Sequence, residues 1–154
     1  MKEINKIIYK TLILLFLIFS AEAESKIISS GNPNAKIIVK VFSSLTCPAC
    51  ANFHSKIYYE LKKDFIDKGL VKFEHHPFPL DLAALNAEII LRCSVDDEKS
   101  FELLGKIYEK QKKWAIGSDI DKINESIKKI GKEINLAEKK INNCWKKNES
   151  KNKI

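Results

Sequence analysis

The chain of 154 residues has little that would take it out of the ordinary globular class. Past residue 23 no segment is apolar enough to cross a membrane, which needs roughly 20 consecutive apolar residues. The remainder is therefore expected to be soluble. No internal repeat is visible, so nothing points to a repeat array. No stretch is poor enough in apolar residues to be disordered, the last few residues excepted. A second Cys-x-x-Cys is missing and histidines number only three, which leaves a four-ligand zinc site short of partners. The net charge of +7 comes from lysines that alternate with acids along helical stretches. That pattern describes solvated helix faces and not a nucleic-acid surface.

What is present begins at the N-terminus. Lys2, Lys6 and Lys10 lead into the apolar run Leu12 to Phe19, and Ala21-Glu22-Ala23 follows with small-x-small form. The segment reads as a secretory signal peptide, residues 1–23, cut after Ala23. A retained anchor is the alternative, but the run is short for about 30 Å of hydrocarbon. Export changes how the four cysteines are read: in an oxidising compartment an even count suggests disulfides more than metal. It also weighs further against a nucleic-acid partner.

Ser25 to Ser30 could hold a short edge strand, and Gly31-Asn32-Pro33-Asn34 signals a turn. Lys36 to Phe42 is β-branched and apolar and reads as a buried strand. Thr46 is the expected N-cap of a helix with Pro48 in its first turn. That helix should reach about Lys68, present Phe53, Ile57, Leu61 and Phe65 as its apolar face, and close at Gly69. Leu70 to His75 alternates as a second strand, parallel to the first by the handedness of a βαβ unit. Helices are then expected over Asp81 to Ser94, Glu98 to Trp114, from Ser118 or Asp119 to near Gly131, and from Asn135 onward. The organisation is α/β: a βαβ core over 24–80, a helical lobe over 81–146 and a polar tail over 147–154.

Cys47-Pro48-Ala49-Cys50 lies where strand gives way to helix. At a helix N-terminus the dipole and the free N–H groups favour a thiolate, and thiol pKa values fall to roughly 3.5–7.5. Cys47, before the first full turn, should be exposed and act as the attacking or attacked sulfur. Cys50, one turn in and more buried, should resolve the mixed disulfide. Pro48 stiffens the turn. Ala49 puts no charge or donor between the sulfurs, so the pair should be a milder oxidant than one with histidine there. An inert disulfide and a zinc site using His54 and one of His75 or His76 are the competing readings. The two adjacent histidines point to opposite faces of a strand, so only one could join. For all three histidines a surface or strand-end place is expected.

The run Val41-Phe42-Ser43-Ser44-Leu45-Thr46-Cys47-Pro48-Ala49-Cys50-Ala51-Asn52-Phe53-His54 resembles the active-site segment of DsbA-like disulfide oxidoreductases. Gly31-Asn32-Pro33-Asn34-Ala35 is similar to the family's lead-in. Phe78-Pro79-Leu80-Asp81 with Ala83, Ala84, Ala87 and Cys93 is similar to the start of its inserted helical lobe. The resemblance implies a thioredoxin-like fold in the periplasm, formation, reduction or isomerisation of disulfides in exported proteins, and a membrane redox partner that recycles the pair. No cofactor or metal is implied. It supports Cys47 as nucleophile and Cys50 as resolving thiol, on a turn shared with Thr46, Pro48 and Ala49.

The family's two further strands, final helix and cis-proline are expected to be missing. None of Pro33, Pro48, Pro77 or Pro79 is placed to supply that proline. A decayed remnant, or half of a split gene with a complementing C-terminal chain, is thus the alternative to an active enzyme. A metal-binding exported protein is a third reading. Similar paired cysteines occur in some relatives, so Cys93 and Cys144 are expected to form a structural disulfide. Closing a loop of about 50 residues would contribute roughly 4 kcal/mol in the chain-entropy model. Two buried free thiols are the alternative.

Overall fold

A computed structural model describes residues 27–94 and 96–151, without the side chains of 148–151. The signal peptide and cleavage site expected over residues 1–23 lie outside the described residues. Among the described residues, three strands and six α-helices follow in order: β1 (Ile28–Gly31), β2 (Ile37–Ser43), α1 (Pro48–Leu61), β3 (Val71–Pro77), α2 (Leu82–Leu91), α3 (Asp97–Glu109), α4 (Gln111–Trp114), α5 (Ile120–Glu133) and α6 (Glu138–Lys151).

β3 is the central strand of the sheet, parallel to β2 and antiparallel to β1. The parallel pair is the one the βαβ order requires. Being central, β3 carries buried side chains at Val71, Phe73, Glu74 and His75. Gly31 turns the chain out of β1 at φ 98°, where an added Cβ would lie 2.5 Å from the Val71 carbonyl oxygen. Asn32 then closes the turn through its own side chain, which accepts the Asn34 N–H at 2.9 Å.

The helix after the Cys-x-x-Cys departs from expectation in face and in length. Its buried residues are His54 and Tyr58, while Ile57 and Phe65 are 52% and 47% exposed. The stripe Phe53–Ile57–Leu61–Phe65 is a flank and not the seat of the helix. A one-residue step turns a helix by about 100°. Histidine and tyrosine do not register as apolar, yet their rings pack as such: His54 stacks on Tyr58 at 4.6 Å and Tyr58 stands edge-on to Phe73 at 4.8 Å. Regular α-helix ends at Leu61, and Lys62–Ile66 widens into a π-helical turn in which Asp67 N–H reaches the Lys62 carbonyl. Gly69, at φ 73°, then ends the segment as expected.

The helical lobe is organised around α2, in which Ala84 and Asn86 through Leu91 are all buried. Ile123, Ile127 and Ile130 of α5 fall at three- and four-residue spacing and are buried against the same core. Ile28 of β1 and Leu45 of the loop before α1 belong to that core too. The apolar interior thus runs across the boundary near residue 80 without a break. Asp81, Asp96 and Asp119 each accept an N–H as N-caps of α2, α3 and α5. Asn135 does not cap α6. It sits at φ 61° just past α5, with its N–H on the Lys132 carbonyl and that of Leu136 on the Gly131 carbonyl. This is the paired closure of a helix C-terminus, with asparagine where glycine is commoner. Among the described residues, no helix is long and apolar enough to cross a membrane.

Cys93, just past α2, is bonded to Cys144 of α6, closing a sequence separation of 51. Replacing both by alanine should lower the unfolding free energy by about 2–4 kcal/mol. Urea denaturation measures this, and an unmoved midpoint would contradict it.

Candidate active site

The site is built on the connection from β2 to α1. Proline disfavours helical conformation in the residue before it. With Pro48 at the first helical position, the cap must therefore be Cys47, and Cys47 is extended at φ −77°, ψ 118°. Its sulfur accepts the Cys50 backbone N–H at 3.3 Å. The expectation that Thr46 caps the helix is corrected by this geometry.

Thr46 turns instead to the lobe: its hydroxyl donates to Asp81 Oδ2 at 2.7 Å, while Asp81 Oδ1 accepts the Ala84 N–H at 2.7 Å. One carboxylate thereby caps α2 and holds the active-site turn. Two further side chains secure the turn from the lobe. Gln111 Nε2 donates to the carbonyls of Leu45 (2.8 Å) and Cys47 (3.0 Å), and Tyr108 O–H donates to Ser43 Oγ at 3.1 Å. Gln111 lies at the break between α3 and α4, which the sequence reading ran together as one helix. Neither its burial nor the break beside it is marked in the local sequence.

Cys47 and Cys50 are free thiols, both half-buried, and Pro48 and Ala49 between them are exposed. The hydrogen bond from the Cys50 thiol, and then that from its backbone N–H, hold the Cys47 thiol below its ordinary value. Burial, and then donation to Cys47, push the Cys50 thiol up. The two sulfurs are chemically distinct: their surroundings favour the thiolate form at Cys47 and the thiol form at Cys50.

Behind Cys50 is a cavity of about 260 Å³ whose walls include Ser43, His54, His75, Phe53 and Tyr108. Two of the histidines are not at the surface. His54 is buried, and burial, followed by the charge of His75, lowers its pKa to about 4. His75 is 2% exposed and lies between Ser43 (Nδ1 to Oγ, 3.3 Å) and Glu88 (Nε2 to Oε1, 2.7 Å). Only His76, on the opposite face of β3, is partly open, at 3.0 Å from Glu74. Among the described residues, no three His, Cys, Asp or Glu side chains form a metal-ligand set.

A thiolate alkylates and a thiol does not. Because Cys47 is shifted down and Cys50 up, Cys47 forms thiolate at the lower pH. Iodoacetamide at pH 7 should label Cys47 ahead of Cys50. The preference should shrink as pH rises. Peptide mapping that finds Cys50 labelled first would contradict the assignment.

With this geometry in hand, the chain can be placed among known proteins. A family model described as thioredoxin matches residues 23–154. A Rickettsia bellii protein named for protein-disulfide oxidoreductase activity is 35% identical over 102 residues, which cover 66% of this chain and 39% of that protein. Disulfide bond formation protein D of Bacillus subtilis is 36% identical over 86 residues, covering 53% and 38%. The chain therefore spans less than two fifths of the length of these relatives. Among solved structures, alpha-DsbA1 of Wolbachia pipientis superposes with a TM-score of 0.70 at 24% identity, covering 79% of this chain and 60% of that one. BdbD of Bacillus subtilis superposes at 0.56 and 20%, covering 80% and 72%. The chain belongs to the thioredoxin family, and its fold is the one seen in DsbA structures, a βαβ core joined to a helical lobe.

Proposed function

We propose that the protein is an exported thiol–disulfide oxidoreductase that exchanges disulfides with cysteine-containing proteins of the periplasm through Cys47 and Cys50. The observation that carries this reading is the sulfur of Cys47 in the N-cap position, with its thiol held low while that of Cys50 is pushed up.

In the reducing direction, Cys47 thiolate attacks a substrate disulfide. One substrate sulfur leaves as thiolate, and a mixed disulfide with Cys47 remains. Cys50, having lost its proton, attacks Cys47; the second substrate sulfur leaves, and the pair ends oxidised. In the oxidising direction, a substrate thiolate attacks Cys47 in the oxidised pair and expels Cys50. A second substrate thiolate then takes the first substrate sulfur and expels Cys47. A thiolate that is stabilised leaves well, so the cap favours this direction. A membrane redox partner resets the pair. On this reading the core over 24–80 supplies the sulfurs, and the lobe over 81–146 holds their turn through Asp81, Tyr108 and Gln111.

Insulin reduction and oxidation of a reduced dithiol peptide test the reading. Cys47→Ser should bring both to the uncatalysed rate, and Cys50→Ser should accumulate a mixed disulfide. A rate for the unmodified protein no higher than that of Cys47→Ser would reject the enzyme. Ala49→His should raise the reduction potential by about 30 mV or more, one tenfold step in the exchange equilibrium. Redox titration against glutathione reads it, and an unmoved potential would remove the role given to Ala49.

A further inference from the structure

A second cavity, of about 810 Å³, lies between β1, α1 and α3. It meets the cavity behind Cys50 only at His54 and Tyr108, and the exchange steps make no use of it. Four rings follow one another along its wall: Phe101, Tyr58, His54 and Tyr108, with successive centroids 5.7, 4.6 and 5.2 Å apart.

His54 is the member of this row that packing alone does not explain. It is 7% exposed, and neither ring nitrogen has a hydrogen-bond partner among the described residues. A buried polar group without a partner is costly and calls for a reason. Its Nε2 looks across to Gly105 of α3. A Cβ built there would lie 3.5 Å from that nitrogen and would meet nothing else within 4 Å outside its own helix. Glycine is a poor residue for a helix interior, yet here it leaves the nitrogen open to the cavity. Burial, and then the charge of His75, keep the ring neutral at pH 7, so one of its nitrogens is an acceptor.

α3 sets charge beside this opening. Glu98, Glu102, Gly105 and Glu109 stand at spacings of four, three and four residues, which is one face of a helix. Lys106 pairs with Glu109, Lys62 of the opposite wall pairs with Asp67, and Asp97 accepts the Ser29 hydroxyl. Glu98 and Glu102 have no hydrogen bond or ion pair among the described residues, although like charges four apart repel. On a chain of net charge +7, this wall keeps carboxylates that no lysine pairs with. They exclude an anion. No three His, Cys, Asp or Glu side chains among the described residues form a metal-ligand set, so the chemistry fits an organic cation.

We propose that this cavity binds a linear aliphatic polyamine. One ammonium sits between Glu98 and Glu102 and relieves their repulsion. The methylene chain runs over Phe101 and Tyr58 towards Gly105. A second amine, under the glycine, donates an N–H to His54 Nε2. Gly105 is seven residues from Glu98, about 10 Å along the helix. Amines joined by short methylene links cover that span, and a single ammonium does not.

The test titrates spermidine into the isotope-labelled full chain at pH 7 and low ionic strength, followed by amide chemical shifts. Saturable shifts are expected in α3 and the facing part of α1. Gly105→Leu should abolish them, because its side chain fills the opening over His54. Leucine is the better helix former, so this variant should fold. Glu98→Gln combined with Glu102→Gln, both at exposed positions, should weaken binding about tenfold or more. That pair decides the matter if thermal melting shows that Gly105→Leu does not fold. Absence of saturable shifts overturns the inference, as does binding that either folded variant keeps unchanged. Shifts that magnesium ions reproduce at equal charge mean diffuse counterion binding and overturn it too. So does a lysine-rich peptide that binds where spermidine does not. Spermidine carries no sulfur, so each outcome is read independently of whether the protein reduces insulin.

Discussion

A sulfur occupies the position where most helices place an oxygen. Cys47 is the N-cap of α1, and the N–H it accepts belongs to Cys50, the residue with which it would exchange a bond. The remainder of the site depends on that one contact. A helix N-terminus leaves its first N–H groups without partners, and a thiolate satisfies one of them more strongly than a thiol. Capping and the acidity of the capping thiol are therefore coupled. The same sequence step that starts the helix also distinguishes the two sulfurs, because the second lies one turn inside the helix and is held against the protein interior.

The turn that carries Cys47 is kept in place by the lobe more than by the sheet. Asp81 reaches it through Thr46, Gln111 through two carbonyls, and Tyr108 through Ser43. These three come from the start of α2, the break before α4 and the end of α3. Each satisfies a polar group in a loop that is otherwise packed, Leu45 being fully buried at its centre. Backbone groups in a buried loop need such partners, since a lost hydrogen bond there costs about 1–3 kcal/mol. The lobe is thus part of the site and not only an appendage to the core. The Cys93–Cys144 bond ties α2, which carries Asp81 at its cap and Glu88 in its length, to α6.

Burial explains where the sequence reading went astray. His54 and His75 fall in segments that alternate or repeat correctly, yet both belong to the interior. His54 is accommodated by stacking between Tyr58 and Tyr108, and His75 by a hydrogen bond at each ring nitrogen. A hydropathy pattern cannot reveal this, because the partners are 13 and 32 residues away from His75 and become neighbours only when β3 takes the middle of the sheet. Glu88 is concealed in the same way on the mostly apolar helix α2.

Local chemistry was readable wherever the cause lay within a few residues. Strand, helix and strand around the cysteines, the parallel pairing of β2 and β3, the stop at Gly69 and a helix start at Ser118 or Asp119 all follow from short-range rules, but β2, expected to be buried, lies at the edge of the sheet with Ile37, Ile38 and Phe42 exposed. Even the cap at Cys47 was readable in principle, since Pro48 disfavours helix in the residue before it. Thr46 was chosen by side-chain preference alone, and its true partner, Asp81, lies 35 residues on. Asn135 was likewise taken by preference for a helix start, although its left-handed backbone ends the helix before it. Only the packed structure decided which face of α1 is buried, which polar side chains share the cavity behind Cys50, and how the lobe holds the turn. Those choices depend on contacts between segments far apart in sequence, and such contacts exist only after the core has closed.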